Sequence, residues 1–98
     1  MKFSTNSISR VLDKKSTKRK YPEARVIVLD DNFNTFKHVA NCLATIIPGM
    51  NEKISWGLAV KVDKEGSAEV WEGPLEQAEL YHQQLTNKGL TMAPIEKI

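Results

Sequence analysis

Residues 25–47 read RVIVLDDNFNTFKHVANCLATII, and two periods meet inside that stretch. Arg25 to Leu29 is a short, β-branched apolar run stopped by Asp30, Asp31 and Asn32, the pattern of a buried strand entering a turn. From Phe36 the apolar residues fall at Phe36, Val39, Ala40, Leu43, Ile46 and Ile47, the spacing of one helix face. Asn34 or Thr35 is available as N-cap, because a short side-chain oxygen there accepts from an otherwise unpaired helical N–H. Pro48 and Gly49 end this helix.

Working outward, Asn51 can cap a second helix that carries Ile54, Leu58 and Val62 inward, and Gly66 closes it. Ser67 to Glu72 alternates, with Ala68 and Val70 on one face, and reads as a second strand before Gly73. Pro74 suits the first position of a third helix, in which Leu75, Ala78, Tyr81 and Leu85 recur at helical spacing until Gly89. Leu90 to Ile95 can form a last short strand, with Pro94 tolerable only at an edge or a strand end. The order β-α-α-β-α-β predicts an α+β fold, a small three-stranded antiparallel or mixed sheet with helices packed on one face.

A chain of 98 residues supports one modest core. Hydrophobic residues at 41% and charged residues at 27% match ordinary globular usage, which excludes fibrous and wholly disordered classes. The longest apolar runs, VIVL at 26–29 and IIP at 46–48, fall far short of the roughly 20 residues that cross a bilayer, so no membrane partner is expected. The start, MKFSTNSISR, lacks a following apolar segment, and Cys42 is the one cysteine. Both point to a cytoplasmic, reducing location.

The charge is unevenly spread. Residues 1–22 hold seven bases against Asp13, a net of +6, while residues 23–98 hold seven bases against eleven acids, a net of −4. The first 22 residues, which include DKKSTKRKYP, have no apolar periodicity and read as a flexible basic arm on a core domain spanning 23–98. Such an arm solvates the chain, docks a protein, or contacts nucleic acid by counterion release. Nucleic acid is disfavoured, because the body is acidic and no aromatic is interleaved with the arm's bases to stack on.

Catalytic constellations are mostly missing: the chain has no Gly-rich phosphate loop, no histidine pair at metal spacing and no nucleophile elbow. His38 and Cys42, at i and i+4, are the one suggestive pair, but a thiolate dyad needs a third orienting group. Both read as structural, His38 on a solvated margin and Cys42 beside the apolar stripe, and His82 reads as surface. The chain is not expected to be an enzyme, to carry a cofactor or metal, or to be other than a monomer. The acidic cluster Asp30, Asp31, Asn32 and Asn34 is in part plain turn chemistry. It also makes a seat for a cation attached to an apolar group.

The stretches ARVIVLDDNFNTFKHVANCL, LAVKVDKEGSAEVW, GPLEQAELYHQQL and GLTMAPIE together resemble the ClpS adaptors of the ATP-dependent Clp protease over roughly residues 22–96. The GPLEQAELYHQQLTNKGLTMAPIE segment is similar to the cyanobacterial and plastid branch. The resemblance implies an α/β sandwich and a non-enzymatic adaptor. Its partners would be proteins with a destabilising N-terminal residue, an N-degron, and a Clp AAA+ ATPase of the ClpA or ClpC type. The arm would engage that ATPase during delivery.

Carried onto this chain, the family's Asn-Asp-Asp turn reads Asp30, Asp31 and Asn32, and the family's helix-two histidine falls at Asp63. The α-amino group would therefore meet Asp30, Asp31 and Asp63. The family's gatekeeping methionine corresponds to Phe36, and its wall valines to Val39 and Val62. A wall methionine and a wall leucine fall at Ala59 and Thr91, which implies a wider, more polar pocket. Asn32 and Asn34 would serve the turn and the helix cap, and Glu76 and Tyr81 stand at ATPase-contact positions. Three carboxylates converging on one ammonium would repel each other when the site is empty, so at least one raised pKa is expected, with an altered first-residue preference. The competing readings are a ClpS-like paralogue that docks the ATPase without reading N-termini, and a small nucleic-acid-binding module.

Overall fold

The computed structural model describes residues 22–98. The basic arm expected over residues 1–22 therefore lies, Pro22 apart, outside the described residues.

The elements are β1 (Glu23–Leu29), α1 (Phe36–Ile46), α2 (Glu52–Glu65), β2 (Ser67–Pro74), α3 (Leu75–Asn87) and β3 (Glu96–Lys97). β1 lies at the centre of the sheet, with β2 and β3 antiparallel on either side. Its residues alternate, with Ala24, Val26 and Val28 buried and Arg25, Ile27 and Leu29 half-buried. The VIVL run therefore buries one face, as antiparallel strands do. A bulge in β2 pairs Val26 with Trp71 and Ile27 with Glu69. It turns Trp71 so that its ring meets Tyr81 of α3 edge-on at 4.9 Å.

The caps agree with the sequence in type and differ in detail. Thr35 caps α1, its Oγ1 accepting from the His38 N–H at 3.1 Å, and Asn51 caps α2, accepting from the Ile54 N–H at 2.8 Å. Gly66 closes α2 in the left-handed region, at φ 90°. At the end of α3, Gly89 N–H donates to Thr86 and Leu90 N–H to Leu85, a Schellman closure that buries Leu90.

Four expectations are corrected. The inward face of α2 is Ser55, Ala59 and Val62, one residue round from the expected Ile54, Leu58 and Val62, and Ile54 is exposed. Small side chains at 55 and 59 allow α2 to approach α1 closely, and that packing outweighs the burial of Ile54. Pro74 is the N-cap of α3 and not its first residue, since its ψ of 141° is extended. The last strand is not Leu90 to Ile95. Met92 makes one bridge to Val28, and pairing resumes only at Glu96–Lys97, because Pro94 has no N–H for the ladder. His82 is half-buried, not surface, and its ring nitrogen donates to the Ala93 carbonyl at 2.9 Å, tying α3 to this last segment.

Candidate functional site

β1, α1, α2 and the segment after α3 meet at the turn that follows Leu29. Leu29 N–H donates to Thr91 O at 2.8 Å and Asp30 N–H to Gly66 O at 2.9 Å, so strand end, loop and helix end are laced through the backbone. The Asp31 carboxylate completes the knot. One oxygen accepts from the N–H groups of Phe33 and Asn34 at 2.9 and 2.7 Å. The other accepts from Asn34 Nδ2 at 2.6 Å and Thr91 Oγ1 at 2.7 Å. Asn34 Nδ2 also donates to Gly89 O at 3.0 Å.

Beside this knot lies a shallow pit lined by Val28, Leu29, Asp30, Asp31, Asn34, Val39, Val62, Leu90 and Thr91. Asp30 is exposed at its rim, and Val39, Val62 and Leu90 are buried apolar walls. Six expected residues thus come together: Asp30, Asp31, Asn34, Val39, Val62 and Thr91. Val28, Leu29 and Leu90 were not foreseen. The first two adjoin Asp30 in sequence, which was a usable signal, whereas Leu90 arrives only through the closure of α3.

Phe36, Ala59 and Asp63 do not line the pit. Phe36 is 40% exposed, with its ring edge-on to Trp56 at 5.8 Å, and Ala59 is buried in the core. Asp63 is exposed on α2. Asn32 is an exposed turn residue and not a cap, and Asn34 bonds Asp31 and Gly89 while Thr35 caps the helix. Asp31 is not a carboxylate of raised pKa, since its pKa is held well below the usual carboxylate range. The causes, in order, are the Asn34 N–H, the Thr91 hydroxyl and the Phe33 N–H. At the other end of the fold, Glu76 is exposed in the first turn of α3 beside Pro22, Pro74 and Leu75, whereas Tyr81 is half-buried against Trp71. Five residues apart, the two do not share a helix face.

The His38 and Cys42 pair is close, with Sγ 3.6 Å from Nε2, but that nitrogen already donates to Lys88 O at 2.9 Å. Burial pushes the Cys42 thiol pKa up, against a smaller opposing effect of Lys88, so the neutral thiol is favoured over a nucleophilic thiolate. Among the described residues no group of three or more His, Cys, Asp or Glu could hold a metal ion. No helix among them is long and apolar enough to cross a membrane.

A family model described as the ATP-dependent Clp protease adaptor protein ClpS matches residues 19–93. The chain belongs to the ClpS family. It is 57% identical over 81 residues to the ATP-dependent Clp protease adapter protein ClpS of Nostoc sp., covering 83% of this chain and 84% of the relative. To the ClpS of Synechocystis sp. it is 60% identical over 83 residues, covering 84% and 85%. The structure of Agrobacterium tumefaciens ClpS2 bound to L-phenylalaninamide superimposes with a TM-score of 0.74 over 81% of this chain and all of that one. At 20% identity that likeness speaks for the fold, a three-stranded antiparallel sheet with helices on one face. As a ClpS the chain is an adaptor of the ATP-dependent Clp protease, and its partners are a Clp ATPase and the substrates supplied to it.

Proposed function

We propose that this ClpS binds substrates by their N-terminal residue and delivers them to the ATPase, with the α-ammonium group held at Asp30 and the first side chain directed into the pit. The supporting observation is the pit itself, where an exposed carboxylate stands over walls of Val39, Val62 and Leu90. L-phenylalaninamide, the ligand of the Agrobacterium tumefaciens neighbour, has the matching chemistry, an amine beside an apolar side chain.

Asp30 and not Asp31 is the principal anion in this reading. A carboxylate has about four acceptor sites, and all four hydrogen bonds at Asp31 are already made within the protein. Asp31 buttresses the turn, and an ammonium group at Asp30 adds a charge-assisted bond of about 1.5–3 kcal/mol. The pit as it stands has a volume of about 10 Å³, room for about one water, so a Leu or Phe side chain enters only as Val39, Val62 and Leu90 part around it. Its burial then adds up to about 1.5–3 kcal/mol, which after association costs leaves micromolar affinity.

The test is fluorescence anisotropy with peptides that differ only in their first residue, each with a free or an acetylated α-amino group. Binding should require the free amine, vary with the first residue and be lost in Asp30→Asn at unchanged Tm. If peptides beginning with Leu, Phe, Tyr, Trp or Arg all fail to bind at millimolar concentration while circular dichroism shows the fold intact, the reading is wrong. The internal occupation of Asp31 and the position of Asp63 off the pit then favour the second reading, an adaptor that docks the ATPase and modulates substrate choice without N-terminal recognition.

A further inference from the structure

We propose that a groove between α1 and α2, walled by Trp56, receives the second to fourth residues of the same substrate segment and selects apolar or aromatic side chains there. The inference rests on the reading above of the pit as the seat of the first residue.

Lys37, Ala40, Asn41 and Ala44 follow one another along one stripe of α1, and Glu52, Ser55 and Trp56 face them from α2 around a groove of about 360 Å³. Ala40, Ala44 and Ser55 make a floor of small side chains, Trp56 stands as an aromatic wall, and Lys37, Asn41 and Glu52 give a polar rim. That combination suits an apolar side chain carried on a polar backbone. Trp56 is 46% exposed and Phe36, whose ring packs edge-on against it, is 40% exposed, so the two rings present a joined aromatic surface beside the groove.

Continuity with the pit identifies the occupant. Asn34 lines the pit, Phe36 follows two residues later, and its ring touches Trp56, which lines the groove. A chain leaving the pit in extended form, at about 3.3 Å per residue, passes Phe36 within a residue or two. From Lys37 to Ala44 the helix rises about 10 Å, the length of roughly three extended residues. A second copy of the chain is a poor fit, since a stable dimer buries about 800 Å² on each partner and one stripe of a helix offers far less.

The experiment compares three ligands on the full chain: phenylalaninamide, which has no second residue, and two peptides with the same first residue followed by Gly-Gly or by Leu-Phe. The Leu-Phe peptide should bind about tenfold or more tightly than the Gly-Gly one. Trp56→Ala and, independently, Ala44→Glu on the exposed floor should abolish that difference, with phenylalaninamide affinity retained. Trp56 emission should shift to the blue with the Leu-Phe peptide. Equal affinities for the two peptides in the wild type, alongside clear phenylalaninamide binding, overturn the groove and spare the pit. Failure of all three ligands overturns both. If the variants change only self-association in sedimentation, the groove belongs to a second copy and the proposal is wrong.

Discussion

Asp31 accepts from its own turn and from Thr91, 60 residues further along the chain, so a single carboxylate holds the entrance of α1 against the segment after α3. These donors favour the charged form and depress its pKa. A depressed carboxylate contributes stability above its unfolded value, 3.8 here, and that contribution is lost as pH falls from there towards the folded value. Asp31→Asn should therefore lower Tm by about 5 °C or more at pH 7, and the gap to wild type should narrow as pH drops below 3.8. Thermal melts by circular dichroism at pH 7 and pH 2.5 check this, and a gap of the same size at both would refute it. Asp30, exposed and one residue away, makes the contrast, since its loss should be felt in ligand affinity and not in Tm. The acidic cluster was legible in the sequence, but its division between scaffold and rim was not. That division depends on where Thr91 and Gly89 arrive, and those come from the far end of the chain.

At the scale of elements, β2 shows how a bulge and a glycine cooperate. The bulge sends Trp71 towards Tyr81, and the indole then lies over Gly73, where an added Cβ would stand only 2.7 Å from Trp71 Cζ2. Gly73→Ala should displace the indole, cost about 1–3 kcal/mol and shift the Trp71 emission, whereas an unchanged spectrum and Tm would show that the ring has room elsewhere. Gly73 read in the sequence as simple punctuation after a strand, because the overlying ring arrives through tertiary packing. The same limit explains α2. Its existence and its caps, Asn51 and Gly66, were legible, since capping is local chemistry. Its inward face was not, since a hydrophobicity pattern ranks Ile54 above Ser55, whereas close approach to α1 rewards the smaller side chain.

Over the whole molecule, the charge divides between a first segment at +6 and an acidic body. We expect deletion of residues 2–20 to leave peptide affinity unchanged and to stop delivery of a bound substrate to the Clp ATPase. Degradation assays with and without those residues decide this, and equal rates would remove the segment from the delivery step. Local chemistry in the sequence was enough to establish the α+β order, the turn after β1, the helix caps and the family. Residues next to one another in sequence, or one helical turn apart, carry those signals themselves. Only the tertiary structure decided that Asp31 is consumed internally, that Asp63, Phe36 and Ala59 lie off the pit, that Pro94 divides the last strand, and that Trp56 walls a groove. Each of those depends on partners tens of residues away or on how closely two helices approach, and packing sets that distance after the local pattern has been satisfied.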